Sequence, residues 1–255
     1  MRPLPPIDLH THIAPDIAPG ELQVLNAVLF AATRTLDEAE QALKRADAAT
    51  IWGVGCHPGL ARAQKTFTPD RFTDLINSTA YVSEIGLDGK SRIALDTQQA
   101  TLASILAILQ EQPRIASIHS YAATDTVLDH LEQRPIAGSV LHWWLGTPEQ
   151  TRRALDLGCY FSVNAAMLRD TQLMAVLPLD RVLTETDHPF GDRASGAERR
   201  PGGVEPVEQA LARAQQLQPQ QVRAQVWQNL ARLVSATRTG RLFPRALRTV
   251  LAATP

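Results

Sequence analysis

The chain has 255 residues, 44% of them hydrophobic, enough to bury one sizeable core. Its 25 Lys and Arg against 26 Asp and Glu leave a formal net charge of −1, so no strong basic field marks a binder of long duplex nucleic acid. Cys56 and Cys159 are far apart and outside any CxxC pattern, which argues against a disulfide framework, and both read as small buried apolar residues. No window approaches the roughly 18 uninterrupted apolar residues of a membrane span, and the N-terminus lacks the apolar run of a signal peptide. A cytoplasmic protein without membrane contact is the expectation.

The first expected strand, 7–10, ends in His10-Thr11-His12. Side chains alternate along a strand, so these two imidazoles share a face and form a bidentate grip for a divalent metal. The connection that follows is short, leaving a first crossover helix of one turn or none. Further strands are expected at 27–33, 51–56, 81–85, 116–119, 139–142, 159–163 and 181–185. Between them, 38–46, 97–111, 125–132 and 148–157 place apolar residues three and four apart, as helices do. Thr35, before Leu36-Asp37-Glu38, and Thr147, before Pro148-Glu149, read as helix caps, and Gly158 as a helix stop. The Gly- and Arg-rich stretch 191–204 reads as a long loop after the eighth strand, and the tail from 206 to 255 as the last helices. Eight β–α alternations predict an α/β fold, a (β/α)8 TIM-type barrel, as a single domain over 1–255. An open doubly wound sheet is the alternative, but its Gly-rich first turn is replaced here by His-Thr-His.

In a barrel the C-terminal strand ends converge on one mouth. Those ends carry His10 and His12, His57, Glu84, His119, His142, and then Glu185, Asp187 and His188; of the seven histidines only His130 lies elsewhere, in a helical pattern. Taken singly each has a plainer reading: a hydrogen-bonded structural histidine, a carboxylate paired with arginine, or for Asp187 a turn initiator. Clustered without a metal, however, such groups would repel one another or stay unsatisfied. Together they point to a metal site at the C-terminal mouth.

Six short segments in order carry a family resemblance: Ile7-Asp8-Leu9-His10-Thr11-His12, Val54-Gly55-Cys56-His57-Pro58, Ser83-Glu84-Ile85-Gly86-Leu87-Asp88, Ile118-His119-Ser120, Leu141-His142-Trp143-Trp144-Leu145-Gly146 and Thr184-Glu185-Thr186-Asp187-His188-Pro189. The sequence resembles the TatD-like metal-dependent hydrolases of the amidohydrolase-type barrel group. The resemblance implies that His10, His12 and Asp187 hold one divalent ion, that His119 and His142 hold a second, and that Glu84 bridges them. Mg, Mn or Zn would suit such ligands. Paired ions roughly 3.5–4 Å apart suit phosphodiester hydrolysis, and the activity implied is a DNase, often acting from a 3′ end. Asp187 would take the proton of the attacking water, Glu185 would orient a water or a histidine, and His57 resembles the family's phosphate-contacting histidine.

The chain departs from the family around the substrate. Gly59 follows His57-Pro58 where the family usually has a histidine, Tyr121 stands where a basic residue is frequent, and Gly89-Lys90-Ser91 replaces an aromatic-rich turn. Arg193, Arg199 and Arg200 are candidates for replacing the lost phosphate contacts; their plainer reading is a solvated loop. Trp143 and Trp144 are candidates for stacking a base or sugar, with one facing inward and the other packing against a helix. The expected substrate is a nucleic-acid end or a nucleotide-like phosphoester, narrower than the family's. Divergent TatD-like proteins also occur in anti-phage defence gene sets, which would add protein partners in a defence complex. Two other readings stay open: a hydrolase of a small amide, lactone or modified base, in which a carboxylated lysine commonly stands where this chain has Glu84, and a scaffold that keeps the metal but has lost turnover.

Overall fold

A computed structural model describes residues 3–195 and 198–254. Residues 196 and 197 of the expected loop, and 1, 2 and 255 at the ends of the expected domain, lie outside the described residues. Eight strands follow in chain order: β1 (Ile7–Thr11), β2 (Val28–Ala31), β3 (Thr50–Trp52), β4 (Tyr81–Gly86), β5 (Ile115–His119), β6 (Ser139–Leu141), β7 (Tyr160–Val163) and β8 (Val182–Thr184). The helices between and after them are α1 (Pro19–Gln23), α2 (Leu36–Ala42), α3 (Ala61–Thr66), α4 (Pro69–Ile76), α5 (Leu95–Glu111), α6 (Thr124–Gln133), α7 (Pro148–Asp156), α8 (Thr171–Val176), α9 (Glu205–Gln215), α10 (Pro219–Thr237) and α11 (Arg245–Ala252).

All strand pairs are parallel, β1-β2-β3 in one ladder and β4-β5-β6-β7-β8 in the other. Two seams close them into an α/β barrel. At the first, the Val54 N–H donates to Tyr81 O at 3.2 Å, Ser83 N–H to Val54 O at 3.0 Å and Cys56 N–H to Glu84 O at 3.1 Å. At the second, Asp187 N–H donates to His10 O at 2.8 Å and His12 N–H to His188 O at 3.0 Å. Both seams therefore lie directly beneath residues expected to carry chemistry.

The strands are buried on both faces, one against the barrel interior and the other against the helices. Runs such as Val28-Leu29-Phe30-Ala31 form strands for that reason, although little in them alternates. Thr35 caps α2 by accepting from Glu38 N–H at 3.1 Å, and Thr147 with Gln150 forms a capping box on α7 behind Pro148. Gly158 ends that helix at φ 77°, a left-handed conformation that costs glycine little. The tail closes the bottom of the barrel: Trp227 Nε1 donates to Pro5 O at 2.8 Å, and the Phe243 ring lies 6.1 Å from Phe30.

Several boundaries differ from the sequence reading. The helix expected at 38–46 spans Leu36–Ala42, and the one expected at 97–111 begins at Leu95. The strand expected at 27–33 stops at Ala31, because Thr33 turns to knit three strands. Its hydroxyl donates to Gly53 O at 2.9 Å and accepts from Gly55 N–H at 3.1 Å, while its carbonyl accepts from Glu84 N–H at 3.1 Å. A Cβ at position 55 would stand 1.7 Å from Thr33 O and 2.1 Å from Ser83 O, so only glycine admits this approach. The expected strand 51–56 is cut to Thr50–Trp52 plus the bridge at Val54 for the same reason.

Candidate metal centre

The six expected ligands arrive at one mouth from five strands. His10 lies in β1 with His12 just past it, Glu84 in β4 and His119 at the end of β5, while His142 and Asp187 follow β6 and β8. Glu84 is central. Its Oε1 lies 2.8 Å from His119 Nδ1 and 3.1 Å from His142 Nε2. Its Oε2 lies 3.6 Å from His12 Nε2 and 3.9 Å from His10 Nε2. Asp187 Oδ1 completes the second group, 3.3 Å from His12 Nε2 and 3.9 Å from His10 Nε2. The ligand atoms of His10, His12 and Asp187 lie within 4.8 Å of one another, as do those of Glu84, His119 and His142.

His10 Nε2, Glu84 Oε2 and Asp187 Oδ1 are buried and have no hydrogen-bond partner. An unsatisfied buried polar atom costs about 1–3 kcal/mol. A divalent cation between the three would satisfy them, so the residues fit a metal. The outer ring nitrogens of His10 and His12 are already committed, which turns their inner ones toward it, whereas His119 Nε2 and His142 Nδ1 have no hydrogen-bond partner. His10 Nδ1 is 2.7 Å from Ser117 Oγ, and His12 Nδ1 is 3.2 Å from the Ala32 carbonyl it donates to.

Residues 7–235 match the family model described as TatD related DNase. The chain belongs to this family. It is similar to the 3′-5′ ssDNA/RNA exonuclease TatD of Cronobacter turicensis, 28% identical over 192 residues that cover 68% of this chain and 71% of that one. Its fold matches the solved TatD homologue of Escherichia coli with a TM-score of 0.78 at 20% identity, covering 89% and 97% of the two chains. A TatD family hydrolase from Entamoeba histolytica matches with a TM-score of 0.77 at 15% identity, covering 91% and 99%. As a TatD-family metal-dependent hydrolase, the chain gathers at the barrel mouth a cluster of groups that could hold metal.

Around this TatD-family cluster stands a layer of polar side chains that sequence reasoning mostly missed. Glu185 was expected to orient a histidine. Its Oε1 stands 4.0 Å from His142 Nδ1, and both its oxygens are occupied by Ser162 Oγ, Asn164 Nδ2 at 2.9 Å and the Trp143 N–H at 2.9 Å. With those partners it stands beside His142, whose Nδ1 is buried and has no hydrogen-bond partner. Asp8, fully buried in β1, accepts from the N–H of Thr186 at 2.8 Å, the Thr186 hydroxyl at 2.6 Å and the Gly202 N–H at 2.8 Å. These bonds hold Asp187 in a left-handed backbone at φ 43°, a conformation unfavourable for a residue with a Cβ and typical of positions held for function. Ser117, two residues before His119, and Ser162 and Asn164, two apart on and after β7, share the inward period of the histidines. That was the available signal.

The substrate candidates are distributed differently. The Gly59 N–H donates to His57 Nδ1 at 2.9 Å, which leaves the proton of the neutral ring on Nε2, 3.5 Å from Glu84 Oε2. Gly59 thereby makes His57 a donor into the site. Trp144 is completely buried, with Nε1 donating to Thr151 Oγ1 of α7 at 2.9 Å, and Trp143 is half-buried against the core. Arg193 is exposed on the rim, whereas Arg200 turns away to the Leu25 carbonyl. A cleft of about 530 Å3 opens at the opposite end of the barrel, among Pro5, Val28 and Thr50, remote from every one of these groups.

Electrostatics polarises the cluster. Burial disfavours the Glu84 carboxylate, yet the neighbouring His57 and the hydrogen bonds from His119 and His142 hold its pKa well below the usual carboxylate range. Burial alone would lower His142, but its hydrogen bond to Glu84 and the charges of Glu84, Glu185 and Asp187 raise it to about 9. His10 goes the other way, lowered by burial and by the charge of His142. The metal-free protein therefore carries a proton on His142 at pH 7. Metal ligation needs that nitrogen deprotonated. The nearby Asp187 and Glu84 carboxylates raise the His12 pKa too, against its burial, so metal loading should release one proton or more at pH 7 and progressively less as pH rises through 9. Titration of metal into weakly buffered protein with a pH indicator measures it. Release that is absent at pH 7 would contradict the assignment of His142 as a ligand.

Proposed function

We propose that the protein is a two-metal phosphodiesterase that hydrolyses nucleic-acid ends or nucleotide-like phosphoesters, with Mg, Mn or Zn as the ions. The observation that carries this reading is the division of Glu84, one oxygen toward His119 and His142 and the other toward His10 and His12. His10, His12 and Asp187 would hold one ion, and His119 and His142 the other, with Glu84 common to both. Bound there, two divalent ions supply a low-pKa water and charge neutralisation for attacking and leaving oxygens. The family match and the relative named as a 3′-5′ ssDNA/RNA exonuclease support phosphodiester chemistry.

The chain's own residues divide the remaining work. Asp187, a metal ligand at the mouth beside the attacking water, would take the proton as the attack proceeds. Glu185, 4.0 Å from His142 Nδ1, places a carboxyl group beside that ring and favours its charged form. His57 presents its Nε2 proton to a phosphate oxygen. Arg193 offers a guanidinium at the rim, and Trp143 contributes through its backbone N–H on Glu185 as well as through its half-buried ring. Chelator-stripped protein should not cleave 3′- or 5′-labelled single-stranded DNA, and adding back Mg²⁺, Mn²⁺ or Zn²⁺ should restore trimming, with the label reporting polarity. Bound ions without cleavage under any metal would move the assignment to a small amide, lactone or nucleotide substrate, or to an enzyme that works only beside protein partners.

A further inference from the structure

The rim of the mouth holds an aromatic feature that sequence reasoning did not single out. Phe190 is 41% exposed, yet its backbone is anchored, since its N–H donates to the Asp187 carbonyl at 2.6 Å and that of Gly191 to the same oxygen at 2.9 Å. Its ring meets His12 edge to face, with centroids 5.7 Å apart and planes at 75°. The Arg193 guanidinium carbon lies 5.6 Å from the ring centroid. Arg193 Nε and Arg199 Nη2 both donate to the Pro189 carbonyl, at 3.3 and 2.7 Å, so two guanidinium groups converge beside one exposed ring. Arg199 is fixed further by its Nε bond to Asp192 Oδ1 at 3.2 Å, and Asp192 also accepts from His188 Nδ1 at 2.6 Å.

We infer that Phe190, Arg193 and Arg199 form a nucleotide subsite, in which the base next to the scissile phosphate stacks on the Phe190–Arg193 surface and the adjoining phosphate lies against Arg199. The inference rests on the phosphodiesterase reading of the same site and names what that reading leaves open, the part of the substrate that is recognised. A phosphate held at His12 has its own base one sugar away, and Phe190 is the exposed ring in contact with His12. Ring and guanidinium planes both accept the face of any base. Two arginines beside them match an occupant that is anionic as well as planar, which an apolar peptide is not. A stacked base must first leave its duplex neighbours, so the subsite selects single-stranded or frayed ends without selecting sequence. Of the aromatic candidates of the sequence, Trp144 is withdrawn into the fold and Trp143 is half-buried against the core, whereas Phe190 is the exposed ring in contact with His12.

The test compares short single-stranded oligonucleotides that differ only in whether the nucleotide beside the scissile bond carries a base or is abasic. Stacking is worth about 1–3 kcal/mol per base, which corresponds to roughly a ten- to hundredfold preference. The wild type should show that preference in kcat/KM with metal, and in Kd for the metal-stripped protein. Phe190→Ala should bring the ratio close to one, and Phe190→Trp should restore it. A ratio that survives Phe190→Ala, with both substrates weakened alike, would overturn the subsite. If the wild type cleaves neither substrate under any metal, the hydrolytic reading fails by itself. The binding ratio then still decides, because base-dependent binding lost in Phe190→Ala keeps the subsite and base-independent binding removes it.

Discussion

Glu84→Ala should abolish metal-restored hydrolysis, lowering kcat by roughly a thousandfold or more, the several kcal/mol that metal-ion stabilisation contributes. The bound-metal stoichiometry should fall with it. The reason is geometric, since one carboxylate faces both groups of candidate ligands and the neighbouring acids are already engaged. Glu185 is braced by Ser162, Asn164 and Trp143, and Asp8 by Thr186 and Gly202. Glu84→Gln should fail nearly as completely, because an amide turns a donor toward one of the two groups. Steady-state assay with metal analysis on the same preparations checks both variants, and near-native turnover in either would remove the two-metal assignment. Removing Glu84 also strips His142 of the partner that raises its pKa, so the proton release on metal loading should shift to lower pH in these variants.

The largest effect on stability is expected from Trp144→Ala. The indole is wholly buried, lies 5.4 Å from Phe161 centroid to centroid, and donates to Thr151. Chain and ring fit so closely that a Cβ at Gly146 would meet the indole at 2.1 Å. Truncation leaves a large cavity and removes the indole's hydrogen bond to Thr151 of α7, at a cost of about 3–5 kcal/mol. In a domain of this size that lowers Tm by roughly 6–20 °C, as thermal unfolding followed by circular dichroism would show. An unchanged Tm would mean that Trp144 is free to leave the core and serve the substrate as the sequence alone suggested.

Most of the side-chain cluster at the mouth was legible in the chain because it follows from period two along strands. His10 and His12 share a face by spacing alone, and parallel barrel strands deliver their C-terminal ends to one place whatever the loops do. The same logic would have found Ser117 two before His119, and Ser162 with Asn164, had uncharged polar residues been weighed with the ionisable ones. Helix α7 was legible because Thr147, Pro148, Gln150 and Gly158 mark its two ends locally. Helices α3, α4 and α8 were passed over, because segments of six to eight residues hold too few turns for a period to register.

What the sequence by itself determined is the inventory: eight strands, their order, and the histidines and acids at their ends. Only the tertiary structure decided how that inventory is wired. That Glu84 faces both histidine groups depends on the β3–β4 seam, where Gly55 admits the Thr33 carbonyl. That Asp8 holds the backbone of Asp187 depends on contacts between the first strand and the last loops, 178 and 194 residues apart in the chain. Which aromatic stands exposed at the rim was decided in the same way. Trp144 and Phe190 are both aromatic residues just past strand ends, and burial in the packed barrel removed one from solvent and left the other at the rim. Local patterns specify which face a side chain takes, but partners brought together by barrel closure specify what it touches.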